Sequence, residues 1–466
     1  MNDLVLKNCK LIESLENHYI GIDNGKISEI SRQPLKTDAE VDINGKIILP
    51  GLIDPHVHFR DPGLTYKESF KTGSFAAAHG GFTTILDMPN TIPPTNTVKE
   101  FKKKKKIGEN KSIINFGLHS GLNNLNEIKK IANLNPASFK IFMDLYDDFE
   151  IKKMFEDIST VNKTKKIPIT LHCENRANIE ENTKRIKNLE CTRGSTAIDY
   201  SYARNSESEY LSVKYAVDLA QKYGLSIHIC HLSAKKSLEY LKSLKLKSMN
   251  NSNIEITTEI TPHHLLLDNS SFDRFGTLVK TNPPLREKGE NLTIKSLIDI
   301  NMIGTDHAPH RIDEKQMGVW DSSPGIPNLE TVLPLLLTEV NRGNIDLKMI
   351  PKLMSETPAK RFGIENKGKI EVGYDADLVI IDLKEEGKFN IDNFYTKAKY
   401  SPFENFNYKG IATMTICNGK IIMNKDNIEY GYNGSNSITN SNSNSNSNSN
   451  SNIYLESDNR VKYVYD

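Results

Sequence analysis

Leu52-Ile53-Asp54-Pro55-His56-Val57-His58-Phe59-Arg60 is the stretch on which the reading of this chain turns. If residues 52–60 are extended, their side chains alternate between two faces, so His56, His58 and Arg60 project together while Val57 and Phe59 project the other way. Two neutral imidazoles can hold one divalent metal, and a guanidinium beside them can grip an anion. A half-buried strand that happens to carry histidines on its polar face gives the same pattern. The rest of the chain has to separate the two readings.

Outward from this stretch, buried-looking runs at Thr83–Asp87, Ser138–Met143, Ile167–His172, Leu225–Cys230 and Met302–Thr305 alternate with amphipathic helical stretches. Alternation of this kind, sustained over about 300 residues, implies parallel strands joined by crossover helices and suits a (β/α)8 barrel better than an open sheet. Residues 3–48 differ in texture, with short apolar runs broken by the turns Asp23-Asn24-Gly25-Lys26 and Asn44-Gly45-Lys46. That texture returns in Gly368–Val372, Ala376–Asp382 and Ile411–Met423, where Asn418-Gly419-Lys420 makes another turn. The expected architecture is therefore α/β: a distorted (β/α)8 TIM barrel over residues 51–360, with a small β-sandwich built from both chain ends, 1–50 plus 361–430. Residues 431–466 are expected to form a disordered tail. Its Ser/Asn repeat, Ser435–Asn452, cannot bury enough apolar area to offset its ordering entropy and reads as disordered.

Composition narrows the function classes. The 466 residues are 37% hydrophobic, enough for a large core, and 60 basic against 59 acidic residues leave a formal charge of +1. That balance offers no field for nucleic acid or an anionic membrane, and the basic run Lys102–Lys106 reads as a solvated helix face. Met1–Tyr19 lacks the pattern of a signal peptide and no stretch of 18 apolar residues occurs, so a cytoplasmic location is expected. The five cysteines, at 9, 173, 191, 230 and 417, lack CxxC spacing and read as reduced thiols.

Catalytic side chains in such a barrel sit at the carboxyl ends of the strands. Collecting the polar residues there gives His56 and His58, then Asn90, Lys140, His172, His231 and Asp306. A lysine is a poor metal ligand as an ammonium, but its neutral amine can add carbon dioxide, and the carbamate would bridge two metals like a long carboxylate. A lysine snorkelling from an apolar strand to the rim is the plain alternative, and Asp144 is the rival bridge. With Lys140 as the bridge, His56, His58 and Asp306 complete one zinc site while His172 and His231 complete the other. A water shared by the two ions would be acidified to hydroxide, and Asp306 could take its proton and return it to a departing amide nitrogen. Cobalt and manganese also suit these ligands.

Six ordered segments carry a family resemblance: Leu49-Pro50-Gly51-Leu52-Ile53-Asp54-Pro55-His56-Val57-His58-Phe59-Arg60-Asp61-Pro62-Gly63, Gly80-Gly81-Phe82-Thr83-Thr84, Asp87-Met88-Pro89-Asn90-Thr91, Pro262-His263-His264-Leu265, Asn282-Pro283-Pro284-Leu285-Arg286 and Thr305-Asp306-His307-Ala308-Pro309-His310. Residues from about 45 to 425 resemble the amidohydrolase superfamily and, within it, the larger, class I dihydroorotases. The resemblance implies reversible cyclisation of N-carbamoyl-L-aspartate to L-dihydroorotate, a step of de novo pyrimidine synthesis, on a metal centre. It also implies that Arg60, Asn90 and His310 hold the substrate carboxylate, that Asn282 contacts the ring, and that the Pro324–Pro327 loop closes over it. Guanidinium, amide and imidazole make a sensible carboxylate clamp. Asn328 stands where the relatives often carry glycine, which leaves that loop's conformation open.

Two other functions stay in view: an allantoinase or hydantoinase, which need not read a second carboxylate, and a noncatalytic barrel that scaffolds a transcarbamoylase. Homo-oligomerisation or association with an aspartate transcarbamoylase is left open. The remaining histidines read as supporting groups. His228 falls on the strand face opposite His231, His263, His264 and His307 suit packing or supporting hydrogen bonds, and Glu174 and Arg176 are either supporting residues or a solvated loop. His18, His79 and His119 have no partner pattern.

Overall fold

A computed structural model describes residues 2–14, 16–37, 39–163, 165–247, 254–425, 427–428 and 461–466. Its centre is an eight-stranded parallel sheet in consecutive order: β1 (Leu52–Val57), β2 (Phe82–Asp87), β3 (Asn115–Ser120), β4 (Ser138–Phe142), β5 (Ile169–His172), β6 (Ile227–Ile229), β7 (Ile256–Ile260) and β8 (Met302–Ile303). A parallel bridge between Val57 and His307 brings the last strand's exit back to the first, which closes the barrel. Strands β3 and β7 are additions to the sequence reading. Their polar residues, Asn115, His119, Thr257 and Glu259, are fully or almost fully buried, which hides them from an apolar-run criterion.

The run expected to be extended through residue 60 stops at Val57, and Arg60 adopts a left-handed backbone at φ +61°. His56, His58 and Arg60 therefore do not share a strand face. The turn after β1 delivers them instead, with the His58 amide bonded to the His307 carbonyl at 2.9 Å.

Both chain ends do meet in one sheet. Ile47–Pro50 pairs antiparallel with Leu378–Ile381, joining the strands of residues 4–31 to those of 378–428 in a continuous nine-stranded sheet. Period two divides its side chains. Leu378 and Ile380 enter a small core with Leu6, Ile20, Ile22 and Ile48, while Val379 and Ile381 join the barrel core.

Helices follow the local signals. Ser69 caps Phe70–His79, Asp147 and Glu150 form a capping box at Asp148–Val161, and Gly224 ends Ser206–Tyr223 in the left-handed conformation. Helix Ser206–Tyr223 also serves the rim. Its Glu209 accepts from the backbone amides of Ser233 and Ala234 at 3.1 and 3.0 Å, which pins the turn that follows His231.

The Ser/Asn repeat lies outside the described residues, but Val461–Asp466, grouped with it in the sequence reading, packs against the barrel. Phe116 of β3 donates to the Lys462 carbonyl at 3.2 Å and accepts from Val464 at 3.0 Å, a short parallel addition to that strand. Tyr463 is buried between Phe101 and Phe116 and donates to the Asn135 carbonyl at 2.9 Å. The two tyrosines and two valines of this hexapeptide give it the apolar area that the repeat lacks. Replacing Tyr463 with Ala should release the segment, since losing a buried aromatic costs about 3–5 kcal/mol where neighbours cannot collapse into its place. Hydrogen exchange at the Phe116 amide reads this directly. Faster exchange there than in the parent is the expected result, and an unchanged rate would mean that the segment contributes nothing in solution.

Candidate metal centre and anion clamp

The first and last strands are locked together at the rim by a buried carboxylate. Asp54 accepts from the His56 amide at 3.0 Å, the Thr305 amide at 3.1 Å and the Thr305 hydroxyl at 2.5 Å. Burial pushes the Asp54 carboxyl up to about 7, against the pull of those donors. This lock puts His56 beside Asp306. Asp306 Oδ1 lies 3.4 Å from His56 Nε2 and 3.0 Å from His58 Nε2.

Partners on the far side of each ring orient these imidazoles. His56 Nδ1 meets Glu259 Oε1 at 2.9 Å, and His58 Nδ1 meets Asn90 Oδ1 at 2.7 Å. Both partners accept, so both Nδ1 atoms carry hydrogen, and both Nε2 atoms face the Asp306 carboxylate. Burial lowers His58 to about 4, which keeps it neutral. Burial is the largest influence on His56 and opposes its charge, but Glu259, Cys230 and Asp306 together outweigh it and hold this ring well above its ordinary value. For Asp306, burial is outweighed by His56 and His58, which keep the carboxyl well below the usual range.

His231 and His172 stand beside this group. The His231 ring centroid is 5.3 Å from that of His56 and 4.7 Å from that of His172, and His172 Nδ1 faces His231 Nε2 at 3.0 Å. His172 Nε2 is held by Glu174 Oε2 at 2.8 Å, and Glu174 is held in turn by Arg204. Burial and then the neighbouring His172 charge push His231 well below its ordinary value, so it too is a neutral lone-pair donor. Lys140 is almost completely buried on β4, with Nζ 3.0 Å from Cys230 Sγ and 5.0 Å from the Phe142 ring centre. Asp144 is engaged elsewhere. Its Oδ2 pairs with Arg204 at 2.7 Å, and its Oδ1 is 3.7 Å from the His172 nitrogen already taken by Glu174.

The donor set fits divalent metal. His56, His58 and Asp306 bring one ligand atom each within 4.8 Å of one another, a lone-pair cluster that a cation would satisfy. The bonds from Glu259, Asn90 and Glu174 are the outer contacts that metal-binding imidazoles use to fix ring orientation. Strain points to the same place. Arg60, His231 and Asp306 all hold positive φ, at +61°, +34° and +46°, which non-glycine residues adopt at a cost of about 1–3 kcal/mol each.

The anion clamp lies on the Arg60 side. Arg60 Nη2 comes within 3.1 Å of His310 Nε2, and Lys67 Nζ donates to His310 Nδ1 at 3.1 Å. With Nδ1 accepting, Nε2 carries the hydrogen and donates to the Pro324 carbonyl at 3.0 Å. Burial, Arg60 and Lys67 together keep His310 neutral by pushing it far below its ordinary value. Asn282 accepts from the Tyr200 hydroxyl at 2.6 Å. Since the Asn90 carbonyl is spent on His58, only its NH2 group can serve a substrate carboxylate. Asn328 does not adopt positive φ, and its buried amide donates to His263 Nδ1 and the Thr305 carbonyl at 2.9 Å each. It steadies the Asp306 turn, a task that a glycine could not perform.

Glu259, Lys67 and Arg204 play no part in the sequence reading, and Cys230 enters it only as a reduced thiol and the end of a strand run. Glu259 had a usable signal, a carboxylate inside the β-prone run Ile256–Ile260, but only a recognised β7 makes it significant. His228, expected to avoid the centre, bonds the other Glu259 oxygen at 3.2 Å and so belongs to the same buried network.

Fold and site define a class: residues 47–422 match the amidohydrolase family, and the chain belongs to it. The curated relatives define the branch. The chain is 48% identical to the dihydroorotase of Methanosphaera stadtmanae, over 93% of this chain and 99% of that one. It is 47% identical to that of Methanothermobacter thermautotrophicus, over 91% and 94%, and 36% identical to that of Pyrococcus furiosus, over 88% and 90%. Within the amidohydrolases it falls among the dihydroorotases. Among solved structures, an L-hydantoinase (dihydropyrimidinase) from Arthrobacter aurescens superposes with a TM-score of 0.86 at 30% identity, covering 92% of this chain and 98% of that one. Among the described residues, no helix is long and apolar enough to cross a membrane.

Proposed function

We propose that this chain catalyses the reversible cyclisation of N-carbamoyl-L-aspartate to L-dihydroorotate in the cytoplasm. The observation that carries the choice of substrate is the cationic clamp of Arg60 and Lys67 around His310, set beside the His56, His58 and Asp306 cluster. Dihydroorotate has a ring carboxylate for that clamp, whereas hydantoin and allantoin do not require one. A noncatalytic scaffold would be free to lose its ligands, and this chain keeps all six.

The residues that would hold two zinc ions are His56, His58 and Asp306, then His172 and His231, with Lys140 as a carbamate between them. Bound zinc supplies a water acidified toward neutral pH and a Lewis acid for the amide carbonyl. Asp306, ionised at neutral pH and held between two imidazoles, is the group that would hold the proton between the attacking water and the leaving ring nitrogen. Glu259 and Asn90 keep the His56 and His58 rings in the tautomers that this arrangement needs. Arg60 and the Asn90 NH2 group take the substrate carboxylate, and Asn282 faces the ring.

Steady-state assays on carbamoyl-aspartate, dihydroorotate and hydantoin test this reading. Arg60→Met should raise KM for dihydroorotate about 10- to 150-fold, the equivalent of a charge-assisted hydrogen bond worth about 1.5–3 kcal/mol. A protein that hydrolyses hydantoin and ignores dihydroorotate would instead be a hydantoinase.

A further inference from the structure

A buried cation without an anionic partner underlies the loop that meets His310. Lys315 ends the short helix Ile312–Lys315 and has no exposed surface. Its ammonium donates to three backbone carbonyls, those of Lys280 at 2.9 Å, Ser323 at 2.9 Å and Gly325 at 3.0 Å. Three hydrogens meet three acceptors, and among the described residues no carboxylate pairs with it. Burial, helped by Lys280, pushes its pKa well down, so an apolar side chain would be cheaper there if only packing were required.

The choice of carbonyls shows what the ammonium does. Ser323 and Gly325 flank Pro324, and while their carbonyls converge on Lys315, that of Pro324 accepts the Nε2 hydrogen of His310 at 3.0 Å. The Tyr400 hydroxyl gives the Gly325 carbonyl a second donor at 3.0 Å, and the Gly325 amide returns to the Lys280 carbonyl at 2.8 Å. Gly325 has φ +151°, and a Cβ there would lie 2.2 Å from the Ala308 carbonyl, so the segment is pressed against the turn that carries His310. Lys280 holds the other limb, donating to the carbonyls of Val319 and Trp320 at 2.8 and 3.2 Å.

We propose that Lys315 is a positioning residue for substrate recognition. By holding the carbonyls on either side of Pro324 it fixes the Pro324 carbonyl against His310, and so sets the imidazole beside Arg60 where the substrate carboxylate is gripped. The proposal rests on the dihydroorotase reading for its substrate, but the loop geometry is independent of that reading.

The experiment uses the full-length enzyme and Lys315→Met, which keeps the volume and removes the donors. A loop displaced by about 1 Å should raise KM for dihydroorotate about ten- to a hundredfold while kcat changes by less than about threefold. Lys315→Ala should behave alike and recover part of its KM with added methylammonium, which Lys315→Met cannot do because its side chain fills the site. Tyr400→Phe, which removes the second donor to Gly325, should shift KM the same way by less. Trp320, the single tryptophan of the chain, reports on the loop without turnover, and acrylamide should quench it more readily in both Lys315 variants. Variants that keep the parental KM and quenching, or that lose thermal stability and kcat with KM unchanged, overturn the proposal. Parent enzyme inert toward dihydroorotate overturns the substrate reading instead, and the Trp320 measurement then decides the role of Lys315 in the loop.

Discussion

Asp306→Asn should lower kcat for dihydroorotate hydrolysis by about 10²–10⁴-fold, the range lost when a positioned general acid or base is removed. Asparagine keeps an oxygen where the carboxylate Oδ1 now faces His56 and His58 at 3.4 and 3.0 Å, so the fold and part of the cation affinity survive. What is lost is the capacity to hold a proton between its departure from water and its arrival at nitrogen. KM should change far less than kcat, because Arg60 and Asn90, the groups proposed to take the substrate carboxylate, are untouched. Asp306→Ala should cost at least as much and bind less metal as well. Steady-state kinetics with metal analysis of both variants checks this, and an Asp306→Asn enzyme within a few fold of the parent would remove Asp306 from proton transfer.

Lys140→Ala should strip most of the metal and with it nearly all activity. Lys140 is an almost fully buried side chain, 3.0 Å from the Cys230 sulfur, and among the described residues no carboxylate pairs with it. An ammonium there would repel a cation, while a carbamate reverses the sign of the charge and offers two oxygens. Short carboxylic acids should therefore restore part of the activity of Lys140→Ala by standing in for those oxygens. Asp144→Ala is the control that separates the rival bridges. Its carboxylate already neutralises Arg204 at 2.7 Å, so its loss should disturb the Arg204–Glu174–His172 chain and leave the metal stoichiometry largely intact. If Asp144→Ala empties the site and Lys140→Ala does not, the bridge is Asp144.

Individual residues show how far the sequence could be read. His172 and His231 were legible because each closes an apolar strand run in a chain whose strands and helices alternate, and a parallel barrel gathers its strand ends on one rim. Arg60 reaches the candidate site by a geometry other than the one strand alternation predicts. Strand alternation would have carried it there from residue 56, but the strand stops at Val57 and a left-handed turn brings the guanidinium to His310. Glu259 stayed hidden because its role depends on β7 lying beside β6 and facing His56 across the barrel. Nothing in the order of residues 256–260 states that relation.

The sequence by itself determined the barrel, the pairing of the two chain ends and the side chains that come to the rim. These follow from periodicity and turn chemistry, which act over a few residues. Only the tertiary structure decided which partner each ring nitrogen has, that Asp144 belongs to Arg204, that Lys315 grips the Pro324 loop, and that the last six residues pack on β3. Most of these join residues tens to hundreds of positions apart, and even the nearer pairs, His172 with Glu174 and Lys315 with Ser323, meet only because the rim turns bring them together, with strengths that depend on distances of a few tenths of an ångström and on burial from water. Such quantities are set when the closed barrel fixes all its strands at once, and no local pattern encodes them.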